Sequence, residues 1–551
     1  MQHLLKNKNL IVISFFFLLF LSGLILYKDY GISVDEEFHR FAGFYWLSYS
    51  LEFLSLENLK LLVDKKLENI SGFTLPHPKF YPQYGVVFDL PAALIETLFN
   101  IDDPQNYFFL RHLMNFLVFF TGSIFFYKIL FYSYKNFNLA LIGTFLFIFS
   151  PRIFANSFYN NKDIIFLSLS CCTLFFLIKV LSRQSIKNIL LFCLFAGLAT
   201  GQRVIGIIYP LVLIIFVYIS NDKVFGNISK KTINCSLIFL SFLFFLIIFW
   251  PYLWENPFNI VKAITTFSNY SHRPSFLYDG EYVNAEFLPM GYLLRWIFMT
   301  VPVLTLTFFT IGYVYLFKKF FYRFINIEKD KLYNDFWRSE KERTHFLFFI
   351  IFSSIFFYIT LSSPVLYNGW RQVYFLNIFL IYISIFGLHI SLLVFTRKER
   401  LKKFKYVIYI VVVIGVLSIM RDIILYHPYQ NTYFNELQTK KAKSKFEIDY
   451  WGLATLNALN EILEAEKKKK IKVAVASWTP IERSAKLLDK EKRGRLIFIG
   501  QNYKAADYIL NNNISEIDKT LKDKYKIPNN FKIFKNFYLK DALIYEIFAK
   551  K

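Results

Sequence analysis

The chain has 551 residues, of which 55% are hydrophobic and 21% aromatic, and a formal charge of +24. Apolar runs long enough to cross a bilayer recur along most of it, which excludes a water-soluble globule and identifies a polytopic membrane protein. Much of the excess Lys and Arg lies in short linkers between those runs, where it reports topology and requires no nucleic-acid partner.

The first apolar run, 10–27, follows a basic start and has no small-residue cleavage site after it, so it reads as a retained anchor. Directly behind it comes Gly31-Ile32-Ser33-Val34-Asp35-Glu36-Glu37-Phe38-His39. Carboxylates at the mouth of a first span either cap an interfacial helix or supply a base at the water–lipid boundary. Further spans are predicted at 109–131, 137–151, 163–181, 188–201, 203–220, 232–251, 291–317, 344–361, 372–395 and 405–425. The linkers on one side carry Lys6 and Lys8, Lys135, Arg183 and Lys187, Lys223 to Lys231, and the basic segments 318–343 and 397–405. By the positive-inside rule that side is cytoplasmic, with the N-terminus; about eleven spans then leave the C-terminus outside.

Three outside segments are long. The first, 28–108, suggests two helices along the membrane surface, with Phe38, Phe41, Tyr45, Trp46 and Phe53 on the apolar side of one. Its stretch 85–100 is too short, and too charged by Asp89 and Glu96, to span. The second, 252–290, follows the aromatic interface anchor Trp250-Pro251-Tyr252-Leu253-Trp254. The third is the tail from 426, with strand-like runs 471–477, 495–499 and 507–510 and a helical pattern over 453–467. The predicted fold is therefore mainly α: a multi-span unit, 1–425, and a small extracytoplasmic α/β domain, 426–551.

Cys171, Cys172, Cys193 and Cys235 all fall in apolar runs and read as packing residues, without a disulfide framework or a Cys-bound zinc. His77 and His272 read as loop histidines. A different pattern emerges on the outside. Arg111, His112, Arg152, Lys162, Arg203, Arg295 and Arg371 gather at the outer ends of spans, where positive charge is normally sparse, while the middles of the spans are almost free of ionisable groups. Singly, such cations snorkel to headgroups. Collectively they suit a lipid-borne phosphate, and with a carboxylate beside them they suggest group transfer from a lipid phosphate. A proton- or ion-coupled carrier would place its charges near the midplane.

The Ser33-Val34-Asp35-Glu36 stretch resembles the acidic motif of the GT-C glycosyltransferases, which include protein O-mannosyltransferases and lipid A aminoarabinose transferases. The closer likeness is to bacterial family-39-type enzymes. It rests on Ser150-Pro151-Arg152-Ile153-Phe154-Ala155-Asn156-Ser157-Phe158-Tyr159-Asn160-Asn161-Lys162-Asp163, on Tyr367-Asn368-Gly369-Trp370-Arg371, on the segment from His427 to Asn435, and on Phe446-Glu447-Ile448-Asp449-Tyr450-Trp451-Gly452. The resemblance implies a polyprenyl-phosphate-linked sugar donor, a lipid, glycan or protein acceptor, and inverting transfer on the extracytoplasmic face of the plasma (inner) membrane. On it Asp35 corresponds to the catalytic carboxylate, with Glu36 beside it. Arg203, Arg371, Arg152, Lys162 and Arg111 are the candidates for the donor phosphate. His39, Asp163 and His427 are candidates for acceptor contact or loop positioning, and the segment around His427 reads equally as an aromatic anchor for the tail. No cofactor is required; some GT-C enzymes use a divalent metal, and the sequence shows no dedicated carboxylate cage. A transporter or flippase of lipid-linked sugars is the alternative function, and an envelope scaffold a third. The acidic motif and the uncharged midplanes favour the enzyme.

Overall fold

The computed structural model describes residues 2–71, 75–220, 223–268, 274–326, 337–397, 402–514 and 524–551. His272 and parts of the basic linkers 318–343 and 397–405 lie outside the described residues. The chain is a multi-pass membrane protein. Among the described residues, eight helices are long and apolar enough to cross a bilayer: Lys8–Leu26 (the apolar part of Gln2–Leu26), Pro104–Tyr134, Asp163–Ser182, Ile228–Phe249, Val303–Ile325, Glu340–Ser362, Leu376–Arg397 and Phe404–Leu425. The other three predicted spans fall on shorter or broken elements. Segment 137–151 is the helix Phe137–Ile148, which bends by 62° into a second helix, Pro151–Tyr159. The remaining two are the short apolar helices Ile186–Gln202 and Val204–Ile219.

The turns between helices are written locally. Lys135 adopts a left-handed φ of 51°, and the next residue, Asn136, caps the following helix by accepting from the Leu139 amide at 3.1 Å. Asp103 accepts from the Gln105 amide and is followed by Pro104 at the first helical position. Pro302 breaks the expected span 291–317 into Tyr292–Thr300 and Val303–Ile325. The helix Pro104–Tyr134 has 31 residues. At 1.5 Å per residue it is roughly 45 Å long, more than the ~30 Å hydrocarbon core, so one end has length to spare beyond the apolar layer.

Asp163–Ser182 and Leu376–Arg397 are the innermost of the long helices, and the N-terminal helix is peripheral. Leu376–Arg397 packs closely on Val303–Ile325 through two glycines: a Cβ on Gly387 would overlap the Phe308 carbonyl oxygen, and one on Gly312 that of Ile383. The four cysteines are buried and unbridged.

Among the described residues of segment 28–108 there are three α-helices, Glu36–Phe53, Glu57–Ser71 and Asp89–Leu98, rather than the expected two. In the second, Ser275–Tyr278 (β1) and Glu281–Asn284 (β2) form a hairpin whose turn, Asp279-Gly280, has positive φ at both residues. The tail contains Ile471–Val475 (β3), Leu496–Phe498 (β4), Tyr508–Asn511 (β5), Phe531–Leu539 (β6) and Ala542–Lys550 (β7). They form one sheet of order β4-β3-β5-β7-β6, parallel at β3–β4 and β3–β5 and antiparallel at β5–β7 and β6–β7. The helix Thr455–Ala465 packs against it.

The glycine crossing yields a prediction. Gly387→Leu should lower stability by about 1–3 kcal/mol or more, since backbone is the obstacle and cannot rotate away. Thermal unfolding of the detergent-purified variant measures this, and an unchanged midpoint would mean that the two helices stand further apart.

Candidate active site

Five of the singled-out residues, Asp35, His39, Lys162, Arg203 and Arg371, line one cavity of about 450 Å³. It lies where the loop after the first helix meets one end of the helical body, the β1 strand and the tail; Ser275, Phe276, Trp478, Thr479 and Arg483 complete parts of its wall.

Each side chain is delivered by an identifiable local device. Asp35 sits at the start of the helix Glu36–Phe53. Its turn is closed from behind by Glu36, whose carboxylate accepts from the Ser33 amide at 2.6 Å and meets His112 Nε2 at 2.9 Å. Arg371 follows the turn Asn368-Gly369, where both residues have positive φ. That turn is pinned by Tyr292 OH donating to the Gly369 carbonyl at 3.0 Å and by Trp370 Nε1 donating to Thr300 Oγ1 at 2.9 Å. Arg203 ends the helix Ile186–Gln202 and pairs its backbone with Tyr84 in an antiparallel bridge. Gly85 permits this approach, because a Cβ there would overlap the Gly201 carbonyl. Asn160 accepts from the Asp163 amide and so starts the central helix Asp163–Ser182 beside Lys162.

The charges are interlocked. Arg371 Nη1 donates to Asp35 Oδ2 at 3.0 Å and lies 3.8 Å from Asp163. Asp163 is also paired with Arg203. The guanidinium of Arg371 lies over the Trp451 ring, 4.6 Å from its centroid. Arg203 Nε, Arg371 Nε, His39 Nδ1, Tyr159 OH and Tyr450 OH are buried polar atoms, on residues that line the cavity, that no described protein group satisfies. Such groups are costly unless something else binds them. Burial, and then the positive charges of Lys162, Arg203, Arg371 and Arg111, hold the His39 imidazole well below the ordinary histidine range, so it is neutral near pH 7.

The remaining predicted site residues do not reach the cavity. Arg111, expected to hold phosphate, is buried against Asp89 at 3.3 Å and Glu96 at 2.5 Å. Those carboxylates are seven residues apart on the helix Asp89–Leu98, two turns along one face. Asp89 also takes Lys162 at 2.7 Å, and Glu96 takes Arg40 at 2.9 Å. Arg152 is turned away: its Nε donates to the Tyr433 carbonyl at 2.9 Å, and its guanidinium lies over Trp296 and Phe434. His427 meets Asp29 at 2.9 Å and the edge of Tyr30. Glu36 faces His112, behind the loop and off the lining. Asp163 stands behind Arg203 and Arg371 as their counter-charge. Arg295 is exposed and pairs with Asp279 at 3.2 Å.

Sequence reasoning missed that Asp89 and Glu96 neutralise Arg111 and Lys162, and it gave Glu447 no role beyond its place in a motif. Glu447 lines the cavity, accepts from Asn368 Nδ2 at 2.6 Å and from the Leu277 amide at 3.3 Å, and has its pKa pushed up by burial to about 8. Its folded pKa is above the ordinary glutamate value, so it binds a proton in the folded state that the unfolded chain releases. The stability it contributes is complete below about pH 4.5 and is lost as pH rises to about 8. Glu447→Gln should therefore flatten the fall in thermal midpoint between those pH values. Parallel wild-type and variant curves would mean that Glu447 is ionised throughout.

Residues 92–254 match the family model described as dolichyl-phosphate-mannose-protein mannosyltransferase. The matched segment contains Lys162, Asp163 and Arg203 but neither Asp35 nor Arg371. Among solved structures, ArnT from Cupriavidus metallidurans bound to undecaprenyl phosphate is 10% identical, aligning over 99% of this chain and 98% of its own with a TM-score of 0.43. The same protein in the apo state is 11% identical over the same shares, with a TM-score of 0.44. No curated protein matches the chain.

Proposed function

We propose that this chain, whose residues 92–254 carry the mannosyltransferase family's sequence pattern, moves a sugar from a polyprenyl-phosphate donor to an acceptor hydroxyl within the cavity at Asp35. Transfer inverts the anomeric carbon, and the site and tail face the extracytoplasmic side. The observation that carries this is the pairing of Asp35 with Arg371 at 3.0 Å on the wall of a cavity that Lys162, Arg203 and His39 also line.

The chemistry divides between the two partners. Asp35 is the partly exposed member of the pair. Its carboxylate takes the proton of the acceptor hydroxyl as the new C–O bond forms, and the polyprenyl phosphate leaves with the electrons of the old one. Arg371 and Arg203 line the cavity, and their guanidinium charge stabilises the negative charge that grows on the departing phosphate. Lys162 adds positive charge from its place at Asp89. Neutral His39 is able to orient a sugar or acceptor hydroxyl without adding a further charge.

The cavity does not single out the sugar, so the first assay presents labelled polyprenyl-phosphate sugars to the reconstituted protein. With the donor found, Asp35→Asn should keep donor binding and lose about 10²–10⁴-fold in turnover, the usual worth of a general base. Near-normal turnover by that variant would refute the role. Sidedness is tested on an Ile533→Cys variant, since Ile533 is exposed on β6 and the native cysteines are buried. An impermeant thiol reagent should label it on intact cells whose outer surface, or periplasm, is open to the reagent. Labelling only after the plasma membrane is broken would place the site on the cytoplasmic face.

A further inference from the structure

The tail grips the Asp35 loop at successive points. A Cβ on Gly31 would lie 2.6 Å from the Leu453 carbonyl oxygen, so the loop's first residue runs against tail backbone. Ile32 is buried in a cluster with Leu487. The Val34 carbonyl accepts from Arg483 Nη1 at 3.1 Å. Glu37, buried, forms ion pairs with Arg483 Nε at 2.9 Å and with Lys486. Arg483 thus holds the chain on both sides of Asp35, at Val34 and at Glu37. Arg483, Lys486 and Leu487 belong to one short helical stretch of the tail, Ile481–Leu487. That stretch is itself fixed to the helical body, where Gln105 Nε2 donates to the Leu487 carbonyl at 2.8 Å.

We infer that Arg483, supported by Lys486, is a positioning residue for Asp35, and that the tail thereby acts as a working part of the catalytic centre. The inference rests on the glycosyl-transfer reading for its consequence, but the clamp itself is a matter of contacts. Arg is suited to the task because one guanidinium donates to the Val34 carbonyl and at the same time sets its charge against the Glu37 carboxylate; Lys offers a point charge without that spread. Asp35 makes its own side-chain contact with Arg371, on the other wall of the cavity. Release of Val34 and Glu37 would free the two positions that flank Asp35, leaving the loop to its contacts at Gly31, Ile32 and Glu36 and to the Asp35–Arg371 pair. Misplacing a reacting group by about 1 Å can cost on the order of 10²-fold in rate.

The test uses the full-length protein in lipid nanodiscs, with Arg483→Gln, Arg483→Lys and Lys486→Gln each compared with wild type. Amide hydrogen exchange over 31–37 should quicken by about tenfold or more in Arg483→Gln, with smaller effects in Arg483→Lys and Lys486→Gln, while exchange in the membrane helices stays unchanged. With the polyprenyl-phosphate sugar that wild type uses, kcat should fall by roughly 10²-fold in Arg483→Gln with donor KM within about twofold, and Arg483→Lys should recover part of it. A merely structural role would lower the thermal midpoint and the amount of folded protein without that split. Unchanged exchange over 31–37, or an unchanged kcat in a folded Arg483→Gln protein, overturns the inference. A wild-type protein inactive with every donor would instead remove the glycosyl-transfer reading, and the exchange measurement would still decide whether the clamp exists.

Discussion

The ion pair between Asp35 and Arg371 is the contact on which the cavity end of the molecule depends. It joins the first loop of the chain to a turn more than three hundred residues later, and it gives the buried Arg371 guanidinium a counter-charge on a partly exposed carboxylate. Around it the structure balances charge in layers. Asp163 faces Arg203 and Arg371, Asp89 faces Lys162 and Arg111, and Glu96 faces Arg111 and Arg40. A cluster of cations that looks in sequence like a bare anion trap is therefore mostly compensated. What remains for a ligand is the wall on which the guanidiniums of Arg203 and Arg371 stand. Under the proposed function this is a useful state: the loop is ordered before the donor arrives, and the guanidiniums have hydrogen-bonding capacity in reserve.

The architecture explains why such a layer is possible. The central helix Asp163–Ser182 presents its acidic first residue at the cavity end, and a helix N-terminus favours that charge. The break after Ile148 turns Pro151–Tyr159 aside and brings Asn160, Asn161 and Lys162 to the cavity. The tail closes the remaining side. It is one packed unit with the helical body, since Trp451, Leu453 and Leu459 belong to the same core cluster as Phe158 and Phe375.

Much of this was legible in the sequence, and the reasons differ by element. The long spans are continuous apolar runs and read directly. The two breaks also had signals: Pro151 after Ser150, and Pro302, each mark a place where an apolar run cannot remain one straight helix. The Asp279-Gly280 hairpin turn was legible by the same kind of rule. Strands β6 and β7 were harder, because their inward-facing residues do not alternate cleanly and their turn uses Lys540-Asp541 in place of a glycine turn. At the site, residue type and position at the outer end of a span sufficed to find Asp35, Lys162, Arg203 and Arg371. They could not separate these from Arg111 and Arg152, which have the same chemistry and similar placement but face Asp89 and Glu96 in one case and aromatic rings in the other. That distinction depends on pairings across many tens of residues, which a single sequence does not encode in any local pattern. Glu447 illustrates the same limit: its motif stood out, yet its burial beside Asn368 belongs to the tertiary fold.

The central claim is that the wall holding Asp35 and Arg371 is where a polyprenyl phosphate delivers its charge. A cryo-electron microscopy structure of the protein in nanodiscs with a polyprenyl phosphate added tests it most directly. The account predicts phosphate density within hydrogen-bond distance of Arg371 and Arg203, with the lipid chain leaving the cavity between helices toward the bilayer. Phosphate density elsewhere, with the Asp35–Arg371 pair intact and its cavity unchanged, would contradict it.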